Sequence, residues 1–391
     1  MLEISTSQLK YFRMKIIINS STLKGTGVVQ VASSFINECA SIPENEYIVF
    51  LSPKVSKNVN KESFPSNFRF YEFGESSLYS LGGRKDINRM KRIEREEKPD
   101  IVFSVFGPSL WKPRAPHLQG FAFPHYIYHD SPLYNILTWK ELIFVKLKEF
   151  IHMRMMLNEA QYYVCETDDT AKRLCEQYDV KKENVYRAYN TASSVFLNYP
   201  KQHLQRDDNE FRFFTLCSPY KHKNLAILNS VIPIIKRMGL TKEIKFYTTF
   251  KDKDFTRIFN EGVRDMIVNV GPQTIAECPS LVEKCDALFL PTLLECYSAS
   301  YPEAMCMEKP IITSDLSFAE TVCKEAALYF DPLSAEDIAN VIKRLTEDPS
   351  VYKSMQMKGV ERLKEFGTAH DRALNYISIC KEIARKNGKN V

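Results

Sequence analysis

DALFLPTLLECYSASYPEAMCMEK, residues 286–309, decides the fold. Residues 287–290 are wholly apolar and are stopped by Pro291, the pattern of a short strand buried in a parallel sheet. The loop after it holds two carboxylates eight positions apart, Glu295 and Glu303. Between them the small residues Ser298, Ala299 and Ser300 open a helix that must end before Lys309-Pro310. Ser300 followed three residues later by Glu303 has the spacing of a capping box, and Pro302 falls in the first turn, where its missing N–H costs nothing. A strand that feeds a loop of small residues and then a helix start turns backbone N–H groups toward an anion.

Outward from this stretch, strands and helices alternate in two halves. In the second half, strands are expected over residues 211–217, 244–248, 266–270, 310–314 and 328–330, with helices at 225–237 and from 334 to 345. Lys221, His222 and Lys223 stand just before the 225–237 helix. Cations there oppose the helix dipole at about 0.3–1 kcal/mol each, an arrangement that a bound phosphate would reverse. In the first half, the apolar run at 16–18 leads into a loop ending Gly25-Thr26-Gly27 and then a helix from about 28 to 39. This is a generic nucleotide-type βα start, and the two glycines alone equally fit a tight turn. Further strands are expected at 47–51, 68–73, 101–105, 117–122 and 162–165, with helices at 84–98, 167–178 and 368–386. His125 and His129 follow the 117–122 strand, at the edge of a parallel sheet where ligands bind.

The segment 136–158 is a long, strongly apolar helix bearing Lys140, Lys146, Lys148 and Arg154. Two readings compete for it: a helix packed over the sheet, with its Met and Phe residues in the core, or a basic amphipathic helix on an anionic membrane. The apolar residues wrap most of the helix, which favours packing.

A length of 391 residues allows two or three domains with their own cores, and 44% apolar with 26% charged residues describes an ordinary globular protein. The formal charge of +5 is too small to point to nucleic acid, but it suits anionic small molecules or an acidic membrane surface. The ten cysteines are scattered without a C-x-x-C pair, so they read as reduced residues of a cytoplasmic protein. Residues 1–13 lack the apolar core of a signal peptide and read as an extension before a natural start at Met14. The domain scheme is then 1–13 extension, 14–198 first α/β domain, 199–210 polar linker, 211–366 second α/β domain, and 367–391 a C-terminal helix. The fold class is α/β, two parallel-sheet domains facing across a cleft.

Glu295, seven residues, Glu303, and then Pro310-Ile311-Ile312-Thr313-Ser314-Asp315 closely resemble the signature region of the retaining glycosyltransferases of family 4, the glycosyl transferases group 1, which have the GT-B fold. That family's loop usually reads E-G-F-G-x-P-x-x-E; here it reads E-C-Y-S-A-S-Y-P-E, with Cys296 and Ser298 in place of both glycines. The resemblance spans about residues 14–385 and is densest from 215 to 345.

It implies transfer of a sugar from a nucleotide-sugar donor to an acceptor hydroxyl, with retention at the anomeric carbon. On this chain, Lys223 would contact the donor phosphate, with Lys221 as a second positive charge because Ser218 stands where relatives often have Arg. Glu295 would bind the donor sugar and Glu303 the ribose hydroxyls. The amides of Ser298, Ala299 and Ser300, with Gly25 and Gly27, would border the diphosphate. His125, preferred over His129, would lie near the transferred sugar, and Gly271 in the loop beside the nucleotide base. No cofactor or metal is expected, Asp252-Lys253-Asp254 being part of a charged surface run. The implied partners are the nucleotide sugar and a glycan or lipid-linked acceptor, with peripheral contact at the inner face of a membrane and no nucleic acid. Two rivals share the fold: an epimerase, which would need further acid–base carboxylates in the cleft, and an inactive partner subunit, suggested by the lost glycines.

Overall fold

A computed structural model describes residues 13–74, 81–202 and 209–391. The extension expected at 1–13 therefore falls outside the described residues except for Arg13, as does the middle of the 199–210 linker.

Short apolar runs flanked by turn residues become two parallel sheets, each buried on both faces. The first holds β1 (Lys15–Ser20), β2 (Glu46–Leu51), β3 (Phe68–Glu72), β4 (Ile101–Ser104), β5 (His117–Phe121), β6 (Tyr162–Cys165) and β7 (Val185–Arg187), in the order 3-2-1-4-5-6-7. The second holds β8 (Glu210–Thr215), β9 (Glu243–Thr248), β10 (Ile267–Asn269), β11 (Ala287–Leu290), β12 (Ile311–Ser314) and β13 (Leu328–Phe330), in the order 10-9-8-11-12-13. Ile17 lies opposite Ile48 and Val102, and Phe214 opposite Tyr247 and Leu288, so the central strand of each sheet is apolar-paired on both sides. In each sheet the strand order reverses beside that central strand, β1 against β4 and β8 against β11. Ligands of open α/β sheets bind at such a reversal, outside the carboxyl ends of the strands.

The helices that matter to the cleft are α1 (Thr26–Cys39), α2 (Leu81–Glu97), α3 (Trp139–Glu159), α4 (Asp168–Tyr178), α5 (Leu228–Met238), α6 (Ser300–Cys306), α7 (Ala335–Glu347) and α8 (Ala369–Lys386). Thr368 caps α8 in a capping box with Asp371. The helix then lies in the core of the first sheet's domain, where Tyr376 meets Phe35 at 5.2 Å and Phe103 at 5.0 Å between ring centroids.

Three expectations need correction. The capping box expected of Ser300 and Glu303 does not form, because α6 starts at Ser300 itself, behind Ala299 in helical backbone geometry. Ser300 is thus inside the first turn and its hydroxyl cannot reach round to the amides it would have capped. The helix expected over 225–237 opens with a 3-10 turn, Leu225–Ile227, and α5 proper starts at Leu228. Lys221–Lys223 form their own 3-10 turn, broken from the next by Asn224 at φ +54°, so the lysines do not press on a helix dipole. The third concerns α3. Met153 and Met156 are buried, but Trp139, Ile143, Phe144, Leu147 and Phe150 are all exposed, so only the last two turns pack as expected.

Candidate functional site

The site is built where the loops after β8 and β11 meet. Leu293 donates its backbone N–H to the His222 carbonyl at 2.7 Å, and the Thr292 hydroxyl donates to the same carbonyl at 3.1 Å. These bonds lock two loops seventy residues apart side by side. Lys223 and Glu295 consequently form an ion pair, and the single Thr292 hydroxyl proton is shared between the His222 carbonyl and Glu295, 3.1 Å from each. Burial works against the Lys223 ammonium, but the adjacent Glu295 charge outweighs it and holds the lysine above its ordinary pKa. Lys223 therefore stays charged on a floor that is largely closed to water.

A cavity of about 790 Å³ meets this floor at Glu295, lined from the first domain by Gly27, Glu166 and Asn190 and from the second by Glu295, Cys296 and Ala299; Lys223, His125, Ser298, Ser300 and Glu303 are not in its lining. The amides of Ser298, Ala299 and Ser300 donate to no other group among the described residues. The side chains that replace the two glycines, Cys296 and Ser298, are buried. Gly27 faces open space: a Cβ built there meets no atom within 4 Å. Glu303 is half-buried, with burial alone raising its carboxyl to about 8, and no side-chain hydrogen bond holds it among the described residues.

His125 sits at the edge of this floor, its ring 6.4 Å from that of His222 and 6.5 Å from that of Tyr134. Its buried Nδ1 has no partner among the described residues. Burial, then the Lys148 charge, lowers its pKa, and burial likewise lowers His222 to about 4, so both imidazoles are neutral near pH 7. His129 is turned away and bonded to Glu149 at 2.9 Å. Lys221, expected beside Lys223, instead reaches Glu141 of α3 with contacts of 2.8 Å to each carboxylate oxygen. Glu141 is a fixed acceptor because it also caps α3 through Thr138, which explains why it wins the lysine. Gly25 precedes α1 and Gly271 occupies a turn at φ +75°, where its lack of a side chain relieves strain. Gly271 is thus explained by its turn and does not line the cavity. Asp252 and Asp254 lie on a surface helix of the second domain, with Asp254 bound to Arg257 at 2.8 Å.

Sequence reasoning missed the wall opposite the floor. Glu166 follows β6 directly and is buried; desolvation, only partly offset by Arg372 and Asn190, raises its carboxyl to about 7. Arg372 of α8 bonds the Asn190 side chain and reaches Ser34 of α1 at 2.9 Å. Tyr297, in the second domain, donates to the Asn190 carbonyl at 2.8 Å, and Ser131 donates to the Leu293 carbonyl at 2.7 Å. These bonds tie the domains together around the cavity. Glu166 could have been suspected from its place at a strand's carboxyl end, but nothing in the sequence links Arg372 to it.

Two facing Rossmann-like domains with a cavity at their switch-point edges define a GT-B protein. The family model of the glycosyl transferases group 1 matches residues 211–348, in the second domain. Among solved structures, a glycosyltransferase from Rickettsia africae is 14% identical at a TM-score of 0.71, over 95% of this chain and 99% of that one. Sucrose-phosphate synthase from Thermosynechococcus elongatus is 13% identical at 0.67, over 95% and 99%. HepE of Anabaena, solved with UDP and glucose, is 13% identical at 0.65, over 95% and 100%. No curated protein sequence matches the chain.

Proposed function

We propose that this chain is a retaining, metal-independent glycosyltransferase of family 4 type that moves a sugar from a nucleotide-sugar donor to an acceptor hydroxyl in the making of a bacterial surface glycan. The observation that carries the reading is the charged Lys223 paired with Glu295 on a sheltered floor, where Glu295 opens the loop that carries three unengaged amides. The barrier to glycosyl transfer is the charge that grows on the departing diphosphate. Lys223 and the amides of Ser298, Ala299 and Ser300 answer that charge, and preorganised donors of this kind are worth about 3 kcal/mol each. Lys223 leaves Glu295 for the diphosphate, which frees Glu295 to accept hydrogen bonds from the sugar. Glu303 accepts from the ribose hydroxyls, and neutral His125 donates toward the sugar. The UDP and glucose held by HepE, a protein of the same fold, support a donor of this class.

The first test is a thermal-shift screen with nucleoside diphosphates and nucleotide sugars. A true donor at 100 times its Kd adds about 2.7 kcal/mol of stability. Lys223→Gln should abolish that shift, whereas Lys221→Gln should keep it because Lys221 is committed to Glu141. If no nucleotide moves the transition, or if Lys223→Gln shifts like wild type, the assignment fails.

The exposed face of α3 supports a second element of the proposal, peripheral contact with an anionic membrane on the cytoplasmic side. Trp139 is 67% exposed, Phe144 65% and Phe150 64%, with Lys140, Lys148 and Arg154 exposed on the same helix. The helix's acids point elsewhere: Glu141 is held by Lys221, and Glu149 by Lys146 and Tyr178. Cations and apolar rings are thus left to face a surface of opposite charge. Among the described residues no helix is long and apolar enough to cross a membrane.

A further inference from the structure

Glu166 is a buried carboxyl that the reaction described above leaves unused. It is the first residue after β6 and the last before Thr167, whose hydroxyl accepts the Thr170 N–H at 3.1 Å and caps α4. Strand and cap together fix its backbone at the carboxyl end of the first sheet, where open α/β sheets take their ligands. Its side chain lines the 790 Å³ cavity from the first domain, and Glu295 lines the same cavity from the second. Glu295 is also the residue that this cavity shares with the Lys223 floor. A molecule held at Lys223 by a diphosphate therefore enters the cavity at Glu295, with the carboxyl of Glu166 on the other domain's wall.

A buried carboxyl is ordinarily held by an ion pair. Here a cation stands near and makes none. Arg372 gives one terminal nitrogen to the Asn190 side chain and the other to Ser34 at 2.9 Å, and its buried Nε has no partner among the described residues. Asn190 stands between the two charges. Its Oδ1 accepts from Arg372 and from the Thr191 N–H at 2.9 Å, which turns its amide nitrogen to Glu166. Arg372 thus eases the burial of Glu166 from a distance without filling its lone pairs. An ionised carboxylate can accept about four hydrogen bonds, so most of that capacity is left to the cavity.

What fills it must bring donors and no negative charge, because Glu295 already opposes the ionisation of Glu166. A phosphate fails on both counts, and the hydroxyls of a sugar succeed. We propose that Glu166 reads a hydroxyl of the transferred sugar, which is gripped between Glu166 of the first domain and Glu295 of the second. The inference rests on the transferase reading, and it adds to the donor site a contact that the base, ribose and diphosphate do not touch.

The test is titration calorimetry with two pairs of probes, UDP-glucose with UDP and GDP-mannose with GDP, since each pair shares its base, ribose and diphosphate. In Glu166→Gln and in Glu166→Ala the nucleotide sugar should lose about tenfold in affinity, the worth of a hydrogen bond to a charged group, while the diphosphate binds as in wild type. The isosteric Gln variant keeps the volume and the Asn190 contact, so the comparison stands even if the Ala variant folds poorly. Glu166 ionises around pH 7, so wild-type affinity for the nucleotide sugar should rise between pH 6 and 8 by up to about tenfold more than that of Glu166→Gln. The other titratable groups facing it, Cys165 and Tyr376 in the first domain's core and Cys296 and Tyr297 on the opposite loop, are kept protonated by burial over that range. Nucleotide-sugar binding that is indifferent to both variants would overturn the proposal. So would an equal loss of nucleotide sugar and diphosphate in both, which would make Glu166 a support of the fold. A wild-type chain that binds neither pair would instead sink the transferase reading itself.

Discussion

At the scale of single residues, the carboxylate at 303 and the glycine at 27 separate what the fold needs from what a ligand needs. Burial raises Glu303 to about 8, against about 4.5 in the unfolded chain. The folded protein therefore holds a proton that the unfolded chain has lost between those values, so this group's contribution to stability declines as pH rises from 4.5 to 8. Ribose hydroxyls bind best to the ionised form, so nucleotide affinity should rise over the same upper range, from pH 7 to 9. Glu303→Gln should flatten both slopes and weaken the nucleotide about tenfold, roughly 1.4 kcal/mol. Melting curves and nucleotide titrations across pH check this, and unchanged affinity at every pH would remove the ribose role. Gly27 makes the complementary case. Its Cβ position is open and its backbone is not left-handed, so Gly27→Ala should leave stability unchanged or raise it by up to about 1 kcal/mol. The same methyl intrudes on the cavity and should lower donor affinity at least fivefold, measured by the ligand-induced shift. Lys223, Glu295 and Glu303 were legible because their spacing recurs in a known family. The ion pair of the first two was not, since it depends on two loops being bonded together through Thr292.

At the scale of elements, buried parallel strands were the most readable feature. Three of them, Tyr162–Cys165, Ala287–Leu290 and Leu328–Phe330, fall on the expected bounds, because an apolar run between turn residues leaves a short strand little room to slip. Helix starts were read less well. A Ser and a Glu three apart look the same whether the Ser precedes the helix or lies in it, and at Ser300 the second holds. The helix Trp139–Glu159 was misjudged because an apolar residue signals burial without naming what buries it. That helix yields a direct test. The chain has two tryptophans; Trp111 is 3% exposed and Trp139 is 67% exposed, so a change in fluorescence on adding vesicles reports on α3. Vesicles of phosphatidylcholine with a third phosphatidylglycerol should shift the emission to the blue, and phosphatidylcholine alone should not. Phe144→Ser/Leu147→Ser should weaken vesicle binding at least tenfold, since burying each side chain is worth about 1.5–3 kcal/mol at full insertion. An emission spectrum indifferent to anionic lipid would end the membrane reading.

At the scale of the whole molecule, alternating strands and helices announced two α/β domains, but nothing local in the sequence told how they face each other. That geometry comes from contacts between distant residues: Tyr297 with Asn190, Ser131 with Leu293, Lys221 with Glu141. The helix Ala369–Lys386 does most to join the ends of the chain. Its Tyr376, Ile377, Ile379, Cys380 and Ile383 are buried in the same core as Ile16, Phe35 and Phe103 of the first domain. Taking about 1.5–3 kcal/mol for each large apolar side chain, Tyr376 and the three isoleucines contribute on the order of 6–12 kcal/mol. That matches the whole stability of an ordinary domain, about 5–15 kcal/mol. A chain cut after residue 366 should therefore lose the cooperative melting of its first domain. The second domain has an apolar core of its own, built on Phe213, Phe246, Phe289 and Ile342, and should still melt as a unit. Calorimetry of the full and shortened chains would show one transition lost and one kept. Supplying residues 367–391 as a separate peptide should restore the missing transition. If the shortened chain instead melts like the full one, α8 is a surface strap, and the first domain's core closes without it.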